Sequence, residues 1–214
     1  MNIKVCGLRD AENLNEVAAL SPDFVGFIFY DKSPRFVGES LDVDVVRALP
    51  RWVRKVGVFV NASPEFVIRS VKKYDLQYAQ LHGNETPDFC KSLRMRGINI
   101  IKAFRVDESF NFSMLNNYKQ HCDFFLFDAK GEQPGGNGVQ FDWSVMSRYD
   151  NDKPFFISGG IGLHNLADLD QIRHLKLYGV DVNSQVEVSP GVKDMEKIRE
   201  LIGRLKPVEE EEEV

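Results

Sequence analysis

The sequence predicts an α/β protein built as a single-domain (βα)8 TIM barrel. A short apolar segment followed by an amphipathic segment recurs eight times, beginning with NIKVC and ending with LYGVDVNS. Strands that alternate with helices imply a parallel sheet, and eight units in about 200 residues match a small closed barrel. An open doubly wound sheet is the competing fold, but it typically has five or six strands and a GxGxxG loop after the first, where this chain has CGLRD.

The eight predicted units can be placed along the chain in order. The strands are NIKVC, DFVGFIF, KVGVFV, LQYAQLH, INIIKAF, CDFFLFD, PFFISGG and LYGVDVNS. The helices are predicted at 10–20, at 43–49, from SPEFV, along TPDFCKSLRMR, and at 112–119, 141–146, 166–173 and 194–205. Ser63 before Pro64 and Thr86 before Pro87 indicate two helix starts, because a hydroxyl caps the first turn and proline fits its first position.

Composition restricts the classes of function. A net charge of −5 and a pI near 5.5 argue against nucleic-acid and membrane partners, although a small anionic ligand needs only a local site. Three cysteines without a CxxC pair favour a reducing cytoplasm. We expect a cytoplasmic protein, since no signal pattern and no apolar run of about 20 residues is present.

The domain organisation is expected to be simple. No linker or shift in composition precedes Pro207, so residues 1–206 are predicted to form one barrel domain. Residues 207–214 contain five consecutive glutamates and no apolar anchor, and they are predicted to form an acidic, disordered tail. Nothing in the sequence indicates an oligomeric state.

Glycine-rich loops after the late strands predict a phosphate-binding site. In this class of barrel, functional groups lie at the carboxyl ends of the strands, and phosphate binds at the loops after strands seven and eight. Free backbone N–H groups and a nearby helix N-terminus favour an anion. A single glycine usually only makes a turn, but glycines after three successive strands favour a cradle. Its predicted members are Gly136, Gly138, Gly159, Gly160 and the Ser184 hydroxyl.

Cys6 and Asp128 are the candidate acid and base. A free cysteine is often a small buried apolar residue, and we interpret Cys90 and Cys122 in that way. Cys6, however, ends strand one, and Asp128 ends strand six, so both face the barrel mouth from non-adjacent strands. A carboxylate in a solvated loop is the simpler interpretation of Asp128. One group that takes a proton opposite another that gives one suits an isomerisation without a cofactor.

Lys4 needs a partner if it lies inside the barrel. Strand eight closes the ring beside strand one, and its inward residues include Asp181 and Asn183, so we expect a buried Lys4–Asp181 pair that raises the positive potential near Cys6. His82 either orients a substrate or is a hydrogen-bonded core histidine. The other three histidines share no spacing with cysteines or carboxylates, and no metal site is predicted.

The segments that contain these candidate residues closely resemble those of the phosphoribosylanthranilate isomerases of tryptophan biosynthesis. The resemblance covers the chain up to the acidic tail. It rests on the ordered segments KVCGLRD, DFVGFIFYDKSPRFV, QLHG, FLFDAKG, GGNG, ISGGI, DVNS and SPGVKD. Each segment is weak alone, but together they occur in sequence order at barrel-compatible spacing.

The resemblance implies a function and a set of site residues. The expected reaction is the cofactor-free and metal-free Amadori rearrangement of N-(5-phosphoribosyl)anthranilate to 1-(2-carboxyphenylamino)-1-deoxyribulose 5-phosphate. Asp128 would be the general acid and Cys6 the general base. Arg35 would hold the anthranilate by pairing or stacking. The glycine loops with Ser184 would bind the 5-phosphate. Asn183 and His82, which face inward at strand ends, complete the set of candidate substrate-binding residues.

Two departures and three alternatives accompany this expectation. Asn137 stands where the family usually has threonine, and Gln185 stands where it usually has glycine, which bears on phosphate geometry. Indoleglycerol-phosphate synthase would need a lysine where Asn61 ends strand three, and a metal-dependent sugar-phosphate epimerase would need paired histidines at strand ends. A non-catalytic barrel that binds a phosphate ligand is the alternative from a different class.

Overall fold

The structure is a computed structural model that describes residues 1–38, 41–129 and 143–207. Eight parallel strands form a closed barrel in sequence order, which confirms the predicted fold. The strands are β1 (Asn2–Cys6), β2 (Phe24–Ile28), β3 (Arg54–Phe59), β4 (Tyr78–Leu81), β5 (Asn99–Val106), β6 (Phe124–Ala129), β7 (Phe155–Ile157) and β8 (Leu177–Val182).

The connections between the strands contain both α-helices and shorter 3-10 segments. The α-helices are α1 (Ala11–Ala19), α2 (Val43–Ala48), α3 (Pro64–Tyr74), α4 (Pro87–Arg94) and α5 (Met195–Leu205). The hydroxyls of Ser63 and Thr86 accept hydrogen bonds from the third residue beyond each of them, so both predicted caps are confirmed.

Three predicted α-helices are 3-10 helices instead. They are Phe112–Asn117, Trp143–Arg148 and Leu166–Gln171, each six residues long. Their sequences are rich in Ser, Asn and Asp, whose side chains compete with helical backbone bonds, and six residues are too few to recover the cost of starting an α-helix. The predicted helix at 141–146 begins at two residues that the structure does not describe.

The barrel interior is filled at its amino-terminal end and carries polar groups at its carboxyl-terminal end. Phe24, Val56, Ile101, Leu126 and Phe156 form the buried plug, in which the rings of Phe24 and Phe156 meet edge to face at 5.2 Å. A larger apolar core lies between the strands and the outer helices. Because successive strand residues alternate between these two cores, the inward polar side chains collect above the plug.

Strand β8 is followed by a small hairpin on the same end of the barrel. A 3-10 turn at Ser184–Val186 leads into β9 (Glu187–Ser189), which pairs antiparallel with β10 (Val192–Lys193). This hairpin brings charged side chains back to the mouth. Within the described ranges, no helix has both the length and the apolar character needed to cross a membrane.

Candidate active site

A buried ion pair lies beneath the mouth. Lys4 Nζ donates to Asp181 Oδ1 at 2.8 Å, and the two side chains are 0% and 5% exposed, which confirms the predicted pair. The pairing follows from ring closure, because Lys4 and Asp181 are register partners across β1 and β8. Burial alone would lower the pKa of Lys4, but the negative charges of Asp181 and Cys6 outweigh burial and raise it. The ammonium is therefore held charged.

The Cys6 thiol lies beside this pair in a space that Gly26 of β2 provides. A Cβ on Gly26 would be 2.8 Å from Cys6 Sγ and 3.1 Å from Lys4 Nζ, so only glycine leaves room for both groups. Burial raises the pKa of the Cys6 thiol, while Lys4 and Lys193 oppose that rise by favouring the thiolate. Lys4 increases the positive potential at Cys6, as expected, but its effect on the pKa of the thiol is smaller than the effect of burial.

Asp128 is hydrogen-bonded to His82, which is in turn hydrogen-bonded to Gln80. His82 Nε2 lies 3.1 Å from Asp128 Oδ2, and Gln80 Nε2 lies 2.8 Å from His82 Nδ1. All three face inward from β6 and the end of β4. His82 is therefore a hydrogen-bonded histidine whose immediate partner is the candidate acid. Asp128 and Cys6 are separated by β7 and β8 on one side of the ring and by four strands on the other.

A second buried ion pair holds the chain around His82. Lys102 Nζ donates to the carbonyls of Leu81 and Gly83, which flank His82, and also to Glu85 Oε2 at 3.0 Å. The other oxygen of Glu85 accepts from the backbone N–H of Asn61. The loop after β4 is thereby fixed to β5 and to the loop after β3, and the imidazole is positioned from both sides.

Arg35 lies in a buried network with Glu187. Its Nε donates to Glu187 Oε1 and Oε2 at 2.9 and 3.0 Å, and its Nη2 donates to Oε2 at 2.6 Å. Lys193 Nζ donates to Glu187 Oε1 at 2.7 Å and to Asn183 Oδ1 at 2.8 Å. Burial lowers the pKa of Lys193, and Glu187 opposes that decrease. This network fixes the orientation of the Arg35 guanidinium at the mouth of the barrel.

The predicted phosphate-binding glycines after β7 lie in a backbone conformation that favours glycine. Gly159 and Gly160 have φ values of +91° and +71°, which side chains rarely adopt. The Gly160 carbonyl accepts from Asn165 Nδ2, so the loop is fixed internally. The 3-10 segments that follow have six and three residues, so backbone N–H groups rather than a long helix dipole would attract an anion here. Gly136, Gly138 and Asn137 lie outside the described residues.

Gln185 fits its position without backbone strain. It belongs to the 3-10 turn Ser184–Val186 and has no positive φ, so glycine is not required there. Its Cβ faces Gly162, at 3.0 Å from the point where a Cβ on that glycine would lie. The loops after β7 and β8 therefore contact each other directly through this residue.

A cleft of about 520 Å³ adjoins these groups on the side of β3, β4 and β5. Its lining includes Tyr30, Asn61, His82, Arg105 and Phe110. Aromatic walls with a few polar groups suit a small organic ligand. Asn61, which the synthase alternative would require to be lysine, uses its Oδ1 to accept from the Asn84 N–H.

The sequence analysis assigned no role to four site residues: Gln80, Lys102, Glu187 and Lys193. Gln80 and Lys102 were recognisable as polar residues within otherwise apolar strands, the same signal that identified Lys4. Glu187 and Lys193 lie in the hairpin, where strands of two and three residues show no periodicity. Lys193 nonetheless lies within SPGVKD, one of the segments that carry the family resemblance, and Glu187 lies just before that segment.

The fold and the site together define a (βα)8-barrel protein with a cluster of buried polar and charged side chains at its carboxyl-terminal mouth. The family model for N-(5'-phosphoribosyl)anthranilate isomerase matches residues 3–204. This chain belongs to that family.

Individual relatives agree with this assignment. The N-(5'-phosphoribosyl)anthranilate isomerase of Parabacteroides distasonis is 42% identical over 209 residues, which cover 96% of this chain and 93% of the relative. The crystal structure of phosphoribosyl anthranilate isomerase from Thermotoga maritima superposes with a TM-score of 0.84 at 33% identity, covering 97% of this chain and 100% of the other. Another phosphoribosyl anthranilate isomerase structure, in complex with reduced 1-(o-carboxyphenylamino)-1-deoxyribulose 5-phosphate, gives 0.81 at 31% identity with the same coverage.

Proposed function

We propose that this chain converts N-(5-phosphoribosyl)anthranilate into 1-(2-carboxyphenylamino)-1-deoxyribulose 5-phosphate in tryptophan biosynthesis. The observation that carries the proposal is the family match over residues 3–204, which includes a thiol and a carboxyl facing one mouth from β1 and β6. The bound reduced product in a related structure supports the same substrate class. The three free cysteines fit a cytoplasmic location.

The reaction requires one proton to be given and one to be taken at different atoms of the same substrate. Asp128 protonates the furanose ring oxygen, and the bond between that oxygen and C1 breaks to give an open-chain Schiff base. The Cys6 thiolate then removes the C2 proton, and the electron pair of the broken C2–H bond forms the C1=C2 double bond of an enolamine. The enolamine becomes the ketone as C1 gains a proton and the 2-hydroxyl loses one, so protons balance without a redox partner.

The environment of Cys6 determines how much thiolate is available. Because burial raises the thiol pKa, the thiolate is a minor species at neutral pH, and its fraction rises with pH. Lys4 and Lys193 increase that fraction. Arg35, oriented by Glu187, holds the anthranilate carboxylate or stacks on its ring, and His82 contacts the substrate beside Asp128. Gly159, Gly160, Asn183 and Ser184, with Gly136 and Gly138, bind the 5-phosphate.

Substrate consumption by purified protein tests the proposal. Phosphoribosylanthranilate is generated in place from anthranilate and phosphoribosyl pyrophosphate by an auxiliary transferase, and the protein is added last. We expect protein-dependent formation of the ribulose product. Asp128→Asn should lower kcat by a factor of about 10²–10⁴, the range for loss of a general acid. A folded wild-type protein that binds the reduced product but forms no ribulose would instead be a binding protein.

A further inference from the structure

We propose that Arg105, near the end of β5, binds the carboxylate of the anthranilate group and thereby selects a carboxylated substrate. The inference deepens the proposed function and rests on it, since it concerns how that substrate is held. It starts from the cleft of about 520 Å³ beside β3, β4 and β5, whose lining includes Arg105.

Arg105 faces the barrel interior from β5, on the same side as the plug. Ile101 and Ala103 belong to the buried interior cluster, and Arg105 is the next residue of β5 on that side. Its register partner on β6 is Asp128. Among the described residues Arg105 has no hydrogen-bond or ion-pair partner, and Asp128 is hydrogen-bonded to His82 instead. A guanidinium stays charged in proteins, so an uncompensated positive charge lines the cleft.

Four other cations near the mouth are buried, and each is paired with a carboxylate of this chain. The pairs are Lys4–Asp181, Lys102–Glu85, Lys193–Glu187 and Arg35–Glu187. The Lys193 side chain is 0% exposed and donates to Glu187 Oε1 and to both oxygens of Asn183, which uses its three N–H groups. These cations are therefore less available to an anionic ligand than Arg105 is.

Arg35 is the other candidate for the carboxylate, and its best edge is already occupied. A carboxylate binds a guanidinium most strongly through two parallel hydrogen bonds to one edge. Glu187 takes the Nε and Nη2 edge of Arg35 at 2.9 and 2.6 Å, and its negative charge would repel a second carboxylate. Stacking on the aryl ring is therefore the role left to Arg35, while Arg105 offers free N–H groups.

The position of Arg105 matches the position of the carboxylate in the substrate. That carboxylate is ortho to the nitrogen bonded to C1, and C1 also carries the ring oxygen that Asp128 protonates in the proposed reaction. Neighbouring strands lie about 4.8 Å apart, so a ligand whose ring oxygen contacts Asp128 has its carboxylate within reach of Arg105. Tyr30, after β2, and Phe110, after β5, line the same cleft and provide apolar walls for the aryl ring.

Calorimetric binding of two matched ligands tests the proposal. One is reduced 1-(o-carboxyphenylamino)-1-deoxyribulose 5-phosphate, and the other is the same compound made from aniline, which lacks only the carboxylate. We expect the wild type to bind the carboxylated ligand about 10–100-fold more tightly, the range for charge-assisted hydrogen bonds. Arg105→Met should remove most of this preference. Retained affinity for the aniline ligand would show that the variant is folded.

Two control variants separate recognition of the carboxylate from general effects. Arg51→Met removes the same charge from an exposed turn before β3, at the opposite end of the barrel, and should leave both affinities unchanged. Arg35→Lys keeps a positive charge beside Glu187 but loses the planar group that stacks, so it should weaken both ligands by a similar factor.

Three results would overturn the inference: a wild type without the preference, an Arg105→Met protein that keeps it, or an equal loss of both ligands in Arg105→Met. Retention in Arg105→Met with loss of the preference in Arg35→Lys would place the carboxylate at Arg35. Because the readout is binding, a wild type that shows the Arg105-dependent preference but no turnover would reject only the proposed function.

Discussion

Replacing Lys4 by methionine should destabilise the barrel strongly, because it strands a buried carboxylate. Asp181 is 5% exposed and loses its 2.8 Å partner, while methionine retains most of the volume of the lysine stem. At that distance and an effective dielectric constant of about 20, the lost attraction is about 6 kcal/mol. Removing one partner of a buried pair typically lowers stability by about 3–5 kcal/mol, which is the expected decrease at pH 7.

The stability of the wild type and that of Lys4→Met should depend on pH in different ways. In the wild type the pKa of Lys4 is higher in the folded state than in the unfolded state, where it is about 10.4. The ion pair therefore stabilises the fold fully below the unfolded-state pKa, and this stabilisation is lost as the pH rises through the folded-state pKa. Burial already raises the pKa of Asp181 although Lys4 opposes that rise, so in Lys4→Met the pKa should rise further and the folded state should bind the extra proton. The variant should therefore be most stable near pH 4 and lose stability as the pH rises.

Urea denaturation followed by circular dichroism at several pH values measures both effects. Lys55→Met is a matched control, because Lys55 pairs with Asp75 at the same 2.8 Å but Asp75 is 68% exposed and is rehydrated when its partner is removed. Its loss should stay within about 1 kcal/mol. The double variant Lys4→Met/Asp181→Leu should recover most of the stability. Equal losses in Lys4→Met and Lys55→Met, or no recovery in the double variant, would refute the reasoning.

Three other predictions concern the site. Gly26→Ala should displace the Cys6 thiol and lower kcat about 100-fold, as measured by steady-state kinetics. Gly203→Ala is the control, because a Cβ there meets open space; it should stabilise α5 by about 0.5–1 kcal/mol in urea denaturation. Glu187→Gln should raise KM more than it lowers kcat, because Arg35 loses its orienting charge; an unchanged KM would contradict this role. Iodoacetamide should modify Cys6 faster as pH rises above 9, since burial raises its pKa, and a plateau below pH 8 would argue against that.

The barrel and its buried pair were predictable because both depend on regular periodicities. Alternation along each strand places Lys4 and Cys6 on one side, and closure of the ring makes β1 and β8 neighbours, so Asp181 is brought to Lys4. These arguments need only the order of the strands and the alternation of side chains between the two faces of each strand. The functional roles of Cys6, Asp128 and the glycine loops are predictions that rest on their positions at strand ends and on the family resemblance.

The hairpin network was not predictable by the same means. Glu187 and Lys193 reach Arg35 and Asn183 because a tight turn at Gly191, with a φ of +90°, folds β10 back onto β9. Such short strands follow tertiary contacts rather than local pattern. Likewise, polarity revealed that Gln80 and His82 face inward, but only side-chain distances reveal that they form a chain to Asp128.

Turnover of the Cys6→Ala variant, compared with Cys90→Ala, tests the central claim most directly. Both replace a buried thiol, but Cys90 lies on α4 outside the barrel interior. The account predicts that Cys6→Ala binds reduced 1-(o-carboxyphenylamino)-1-deoxyribulose 5-phosphate normally yet loses at least about 100-fold in kcat, while Cys90→Ala keeps its turnover. Full activity in a folded Cys6→Ala protein would contradict the account.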